Sequence, residues 1–268
     1  MLRALKNRLK QSMLVQTTYR RYVQPHMPQY EQETYILKNM KFDQCVDVGA
    51  HAGTYSILLS RRANHVFAFE PSKHSFDILQ NLRLPNVTAF NVALSNENGE
   101  AEMSFPRLGG DIDYALATLR TLRTNEYESV DVEKVQLSQF NDFGTQINFN
   151  RIDFVKIDVE GFEMNVLLGM DRLIARRKAA LLIEIEQRHN PNCREVFEYL
   201  GARGYEAYYT LEGAVLRKLD IDILPSLQTK EKLIRDSARK FRGGEPREYI
   251  LNFFFLQPEH KSRFLIAG

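Results

Sequence analysis

From Cys45 onward the chain alternates short, continuous apolar runs with amphipathic stretches. The runs Cys45–Val48, Val66–Phe69, Val87–Val92, Phe154–Val159 and Ala180–Glu186 mostly lack the in-and-out alternation of a half-exposed strand, as expected of strands covered on both faces. Helix-period segments lie between most of them. Such βαβα order predicts a mainly parallel sheet with right-handed crossovers, and it places ligand sites beyond the carboxyl ends of the strands. The pattern changes before Phe154. There Ala101–Phe105 and Val130–Leu137 read as a β-pair flanking the loop Arg107–Asn125, which holds Gly109 and Gly110, so the segment from about 100 to 137 is read as an insertion. Downstream, Tyr205–Thr210 and the aromatic Tyr249–Leu256 read as strands, and Lys230–Arg242 as a helix stopped by Gly243 and Gly244.

The first forty residues differ in kind. Residues 1–24 carry Arg3, Lys6, Arg8, Lys10, Arg20 and Arg21 with no acid, while Leu2, Leu5, Leu9 and Met13 recur at helical spacing. A helix packed on the domain with a solvated basic face is expected; peripheral contact with a membrane surface is the sharper alternative. After Pro25 and Pro28, Tyr30–Met40 reads as a second helix, so residues 1–40 form a basic helical extension and 41–268 one domain. A length of 268 residues suits one sizeable core with an extension, and 44% hydrophobic with 26% charged residues is ordinary globular composition. A net charge of +2 does not by itself imply nucleic-acid binding. Cys45 and Cys193, without C-x-x-C or a histidine cluster, argue against a disulfide framework or structural zinc and fit a reducing cytoplasm. No apolar run approaches a membrane span, and no export signal is expected.

Chemistry concentrates where the strands end. In Cys45-Val-Asp-Val-Gly-Ala-His-Ala-Gly-Thr-Tyr-Ser56 a strand runs into a turn with Asp47, Gly49, His51, Gly53 and Thr54, then a helix. The two glycines are expected to let backbone approach a ligand closely. The spacing is G-x-x-x-G rather than G-x-G-x-x-G, which disfavours pyrophosphate, and a P-loop is absent. Asp47 suits the cationic amino-acid end of a cofactor better than a phosphate it would repel. In Val66-Phe-Ala-Phe-Glu-Pro-Ser72 a second strand ends in an acid 21 residues after Gly49, spacing that suits a ribose whose two hydroxyls Glu70 can accept, with Pro71 and Ser72 beside it. Asn91 to Leu94, with Ala93, follow the third strand and are expected to wall the adenine side.

Two further segments are acidic. In Phe154-Val-Lys-Ile-Asp-Val-Glu-Gly-Phe-Glu163, Lys156, Asp158 and Glu160 alternate and would share one face of an extended strand. Three ionisable groups there are costly unless they pair, meet a ligand or reach solvent, so a site is expected, with a structural ion pair between Lys156 and a glutamate as the alternative. In Leu181-Leu-Ile-Glu-Ile-Glu-Gln-Arg-His189, Glu184 and Glu186 would share a face next to Asp158 and Glu160, and His189 follows. Glu184 is the stronger candidate; His189 reads equally as an ordinary loop histidine.

Taken together, D-V-G-A-H-A-G-T-Y-S, F-A-F-E-P-S, N-V-A-L-S, K-I-D-V-E-G-F-E and L-I-E-I-E resemble the FkbM family of methyltransferases, over about Gln44 to Tyr209. The resemblance implies an α/β, Rossmann-like class I methyltransferase fold: a mostly parallel seven-stranded sheet whose last strand, here Tyr249–Leu256, is antiparallel. It further implies S-adenosylmethionine as cofactor and an alcohol as acceptor, on a sugar, glycan or natural product. Asp47, Gly49, Gly53 and Glu70 match the family's cofactor residues, and Asp158 and Glu160 its acidic block; His51 stands where the family often has asparagine. A hydroxyl acceptor needs a base, for which Asp158 is proposed with Glu160, Glu184 and His189 as alternates. The same acids could instead hold a divalent cation that acidifies the hydroxyl, although no ligand motif specifies one. Arg107–Asn125 and Lys230–Arg242 are expected to wall the acceptor pocket, and their cations hint at an anionic glycan, with solvated surface as the equal alternative. The competing functions are an NAD-dependent sugar oxidoreductase, which the glycine spacing disfavours, and a non-catalytic glycan-binding module on the same fold.

Overall fold

A computed structural model describes residues 32–108, 111–112, 118–119, 129–211, 215–239 and 248–266. The basic segment 1–24, most of the loop Arg107–Asn125, and Arg242 with Gly243 and Gly244 lie outside them.

A short helix α1 (Glu33–Leu37) leads into β1 (Phe42–Val48), α2 (Thr54–Ser60), β2 (Ala63–Phe69), α3 (Lys73–Asn81) and β3 (Val87–Phe90). The fourth and fifth core strands are β8 (Ile152–Ile157) and β9 (Ala180–Glu184), separated by α4 (Glu163–Gly169) and α5 (Asp171–Ile174). The remainder is α6 (Arg194–Gly201), β10 (Glu206–Tyr209), β11 (Val215–Lys218), α7 (Leu224–Leu227), α8 (Lys230–Arg239), β12 (Asn252–Leu256) and β13 (Leu265–Ile266). The central sheet runs β13-β11-β10-β12-β9-β8-β1-β2-β3. Strands β3, β2, β1, β8 and β9 are parallel neighbours, and β12 is antiparallel to both β9 and β10.

The expected antiparallel strand is therefore present, and among the described residues the sheet has nine strands where seven were expected. The additional β11 pairs antiparallel to β10, and β13 parallel to β11. In β11 only Leu216 is buried among exposed neighbours, which is the pattern of a sheet edge.

Period-two side-chain alternation sorts the strands between two cores. Val46, Val48, Phe67, Phe69, Val155, Ile157, Leu181 and Ile183 fill one face, while Cys45, Val66, Phe154, Ala180 and Leu182 fill the other. A fully buried side chain of this kind contributes roughly 1.5–3 kcal/mol, so each face is strongly held in register. The same alternation places Asp47, Lys156, Glu184 and Asn252 on the second face at the carboxyl edge, because Asp47 is level with Lys156 and Glu184 with Asn252.

The insertion forms its own sheet, β4 (Ala93–Leu94)-β7 (Ser129–Ser138)-β5 (Gly99–Leu108)-β6 (Asp111–Ile112). The β5–β7 hairpin pairs from Gly99 opposite Leu137 to Arg107 opposite Ser129, around a small core of Ala93, Met103, Phe105, Val135 and Leu137. Among the described residues no helix is long and apolar enough to cross a membrane.

Candidate active site

A cavity of about 420 Å³ opens at the carboxyl ends of the parallel strands, within the usual range for small-molecule sites. Two turns shape its floor. Gly49 has φ +74°, and a Cβ there would collide with the backbone carbonyl of Asp158, so glycine is required for the β1 turn to pack on the loop after β8. Gly53 has φ +89°, and a Cβ would lie 2.5 Å from Leu82 Cδ1 and 2.8 Å from Leu79 Cδ1. Both close approaches are thus to the protein itself. Gly49 still lines the cavity, but Gly53 does not; it seats α2 against α3.

Glu70, at the tip of β2, is buried and braced on both oxygens. The backbone N–H of His51 donates to Oε2 and that of Ser72 to Oε1, each at 2.8 Å. His51 holds φ +47°, a conformation rare outside glycine and characteristic of over-determined functional turns. Asn91 donates its amide to the carbonyls of Glu70 (2.9 Å) and Pro71 (2.8 Å). It therefore fixes this turn and stands outside the cavity lining, whereas Val92, Ala93 and Leu94 line it. Ser72 likewise stays outside and caps α3, while His51, Thr54 and Pro71 are on the wall. Burial pushes the Glu70 carboxyl up to about 7 against the opposing effect of its two N–H donors. Asp47, fully buried, accepts Ser56 Oγ at 2.6 Å and is pushed by burial up to about 6, with Ser56 and Lys156 pulling the other way.

The loop after β8 differs from its expected form. The strand ends at Ile157, so Lys156, Asp158 and Glu160 do not share a strand face; Asp158 N–H still donates to Val48 O (3.0 Å), and Glu160 turns left-handed at φ +48°. A non-glycine in this region costs on the order of 1–3 kcal/mol and persists only where surroundings impose it. Here Thr118 Oγ1 donates to the Glu160 carbonyl (2.9 Å), and Gly161 N–H donates to Glu163 Oε1 (2.6 Å). Lys156 is wholly buried: its Nζ lies 3.2 Å from Asn252 Oδ1 and 3.5 Å from Asp158 Oδ2.

The fourth segment also leaves the strand early. Because β9 stops at Glu184, Glu184 faces the cavity and Glu186 is buried behind it. Glu186 accepts Tyr249 OH (2.7 Å) and two bonds from Arg188 (2.9 and 3.1 Å). His189 is not on the cavity wall; its Nδ1 lies against Glu160 Oε2 and 3.2 Å from Glu186 Oε2. Burial opposes charge on His189, but Glu160 and Glu186 outweigh it and hold the ring above its ordinary value; burial likewise raises Glu160. Asp158, Glu160 and Glu184 each bring one carboxylate oxygen within 4.8 Å of the others, and a ring nitrogen of His189 lies equally close to one carboxylate oxygen each of Glu160 and Glu186. Either set could gather a cation or share protons.

The inserted segment contributes Met103, Thr118 and Leu119 to the wall, and the tail contributes Leu233, Asp236 and Tyr249. Thr118, Leu119, Leu233 and Asp236 fall in the two segments expected to wall the pocket, Arg107–Asn125 and Lys230–Arg242, whereas Met103 and Tyr249 fall outside them. Among the described residues, α8 turns Leu233 and Asp236 to the cavity, while Lys232 bonds to Ser226 O (2.7 Å) and Arg235 to Glu248 (3.2 Å). Asp236 accepts the backbone N–H groups of Glu248 (2.9 Å) and Tyr249 (2.8 Å), which brings Tyr249 to the site. The i,i+3 spacing of Leu233 and Asp236 puts both on one face of the helix.

Comparison with known proteins follows the same outline. Residues 47–207 match the family described as Methyltransferase FkbM domain. Methyltransferase 1 of Beauveria bassiana is 30% identical over 148 residues, covering 47% of this chain and 57% of the relative. Hexuronic acid methyltransferase AglP of Haloferax volcanii is 31% identical over 133 residues, covering 46% and 48%. The chain thus spans about half the length of the curated relatives it matches. A solved structure of a methyltransferase FkbM from Methylobacillus flagellatus is 14% identical, with a TM-score of 0.45 over 80% of this chain and 43% of that one.

Proposed function

Because the chain belongs to the FkbM methyltransferase family, whose activity implies use of S-adenosylmethionine, we propose that its cavity binds this cofactor and moves the methyl group to a hydroxyl oxygen of a sugar, glycan or natural-product acceptor. The observation that carries this is the order of acids along the sheet edge. In strand order β2, β1, β8, β9 they run Glu70, Asp47, then Asp158 and Glu160, then Glu184, all on one cavity. Glu70 and Asp47 suit the ribose and the ammonium of the cofactor, with Val92, Ala93, Leu94 and Met103 as an apolar wall for the adenine. The acids of β8 and β9 are then left for the acceptor.

When bound, S-adenosylmethionine supplies an already activated methyl carbon. The protein's task is to align the acceptor oxygen with that carbon, worth up to ~7–11 kcal/mol, and to take the hydroxyl proton, worth roughly 10²–10⁴-fold. Asp158, Glu160 and Glu184 are placed for the second task. Similarity to a hexuronic acid methyltransferase of Haloferax volcanii supports a sugar-type acceptor. We place the reaction in the cytoplasm, and residues 1–24 as the segment that would meet a membrane surface.

Thermal-shift measurements with S-adenosylmethionine, S-adenosylhomocysteine and NAD test the cofactor, since only a bound ligand raises the melting temperature by mass action. Stabilisation by the first two and not by NAD is expected; the reverse identifies an oxidoreductase. Release of S-adenosylhomocysteine against a panel of glycans and small alcohols then tests turnover. Cofactor binding with no release against any acceptor would leave a non-catalytic binding module.

A further inference from the structure

We propose that Glu160 is the group that accepts the acceptor hydroxyl's proton, and that His189, Glu186 and Tyr249 form a line of side chains that holds it in position. The inference rests on the methyl-transfer function proposed above and deepens it.

Three acids face the acceptor end, and Glu160 is the one held from several sides. Its backbone is left-handed without being glycine, and its carbonyl is fastened by Thr118 of the inserted segment. The next residue's N–H is fastened by Glu163, which Asn190 also contacts at 3.3 Å. Its carboxylate meets His189 through Oε2, which leaves Oε1 for a substrate hydroxyl. Asp158, by contrast, is engaged from behind by the wholly buried ammonium of Lys156, 3.5 Å from its Oδ2.

Behind Glu160 the contacts continue in one direction. His189 Nδ1 lies between Glu160 Oε2 and Glu186 Oε2, in ion-pair contact with both carboxylates. Glu186 is kept from swinging by Tyr249 OH and by Arg188. Tyr249 is in turn seated by Asp236 through its backbone N–H. Asp236 and Tyr249 lie beyond the family match, which ends at residue 207, so this chain's tail supplies part of the support. In the reaction the acceptor oxygen's lone pair forms the bond to the methyl carbon. The carbon–sulfur bond breaks with its electron pair passing to sulfur, and the hydroxyl proton moves to Glu160 Oε1.

Four substitutions test this with the acceptor found in the panel, reading kcat, acceptor KM, S-adenosylhomocysteine affinity and melting temperature. Glu160→Gly relieves the left-handed backbone, so the protein is expected to melt no lower than wild type while turnover falls roughly 10²–10⁴-fold. Tyr249→Phe should lower kcat by roughly 10–100-fold through misplacement, with acceptor KM and cofactor affinity unchanged. Thr118→Val should behave like Tyr249→Phe, and Thr118→Ser should keep wild-type turnover. Near-wild-type kcat in Glu160→Gly overturns the proposal, as does a Tyr249→Phe loss that appears equally in cofactor affinity. Wild-type protein that binds no cofactor, or releases no product with any acceptor, instead overturns the methyl-transfer function on which the proposal stands.

Discussion

Glu70→Gln should change stability and cofactor affinity in ways that a merely structural carboxylate would not. Burial raises the Glu70 carboxyl from 4.5 to about 7. At 1.36 kcal/mol per pH unit, keeping it ionised in the folded chain costs on the order of 3 kcal/mol. The folded value lies above the unfolded one, so between them the folded chain holds the extra proton. Stability of the cofactor-free protein should therefore fall as pH rises from about 4.5 to about 7 and level off above. Asp47, raised from 3.8 to about 6, adds a slope of the same sign at lower pH. The glutamine variant has no carboxyl to ionise at position 70 and should lose that part of the slope, keeping what Asp47 and the other buried acids, Glu160 and Glu163, contribute. Its amide also offers one oxygen where two N–H donors, from His51 and Ser72, now each have one. Losing one such bond costs roughly 1–3 kcal/mol. Relative to wild type the variant should be clearly less stable at pH 5 and nearly equal at pH 8, where relief of the buried charge offsets the lost bond. If ribose hydroxyls donate to the carboxylate, the weaker amide acceptor should cost roughly 1.5–3 kcal/mol of S-adenosylhomocysteine affinity. Urea unfolding from pH 5 to 8 and calorimetry at pH 8 read both effects. Identical pH slopes in the two proteins, or undiminished affinity in the variant, would refute the reasoning.

Other substitutions probe the same edge of the sheet. Gly49→Ala forces a Cβ into the Asp158 carbonyl at a left-handed φ and should cost more than about 3 kcal/mol; soluble protein with a wild-type melting temperature would contradict the packing described. Asn91→Ala removes two bonds from the Glu70 turn, about 1–3 kcal/mol in all, and should weaken cofactor binding without touching the ligand; calorimetry showing full affinity would separate Asn91 from the turn. Chelation with EDTA should leave turnover unchanged if Glu160 takes the proton directly. A requirement for added Mg²⁺ or Mn²⁺ would instead make Asp158, Glu160 and Glu184 the holders of a cation.

Much of this was legible in the pattern of residues, for identifiable reasons. The five parallel strands were visible because burial on both faces leaves continuous apolar runs, and Glu70 stood out because a charge ends such a run. Periodicity does not show where a strand stops, however. Asp158 and Glu160 continue the alternation of Lys156 on paper, yet the chain leaves the sheet at Ile157 and Glu160 turns left-handed. The glycine turn was legible in place but not in cause: Gly53 makes room for Leu79 and Leu82, far along the chain, rather than for a ligand. Contributions from Thr118 and Tyr249 depend on long-range packing that no local spacing encodes. The edge strands β11 and β13 were missed because segments of four and two residues are too short to show a period, and β11 leaves three of its four residues exposed.

The most direct measurement is calorimetric titration of S-adenosylmethionine and S-adenosylhomocysteine into the folded chain and into Glu70→Ala. Saturable one-to-one binding of both by the wild type, and a marked loss in the variant, is predicted. Folded wild-type protein that takes up neither compound, or a variant that binds them equally well, would contradict the assignment of this cavity.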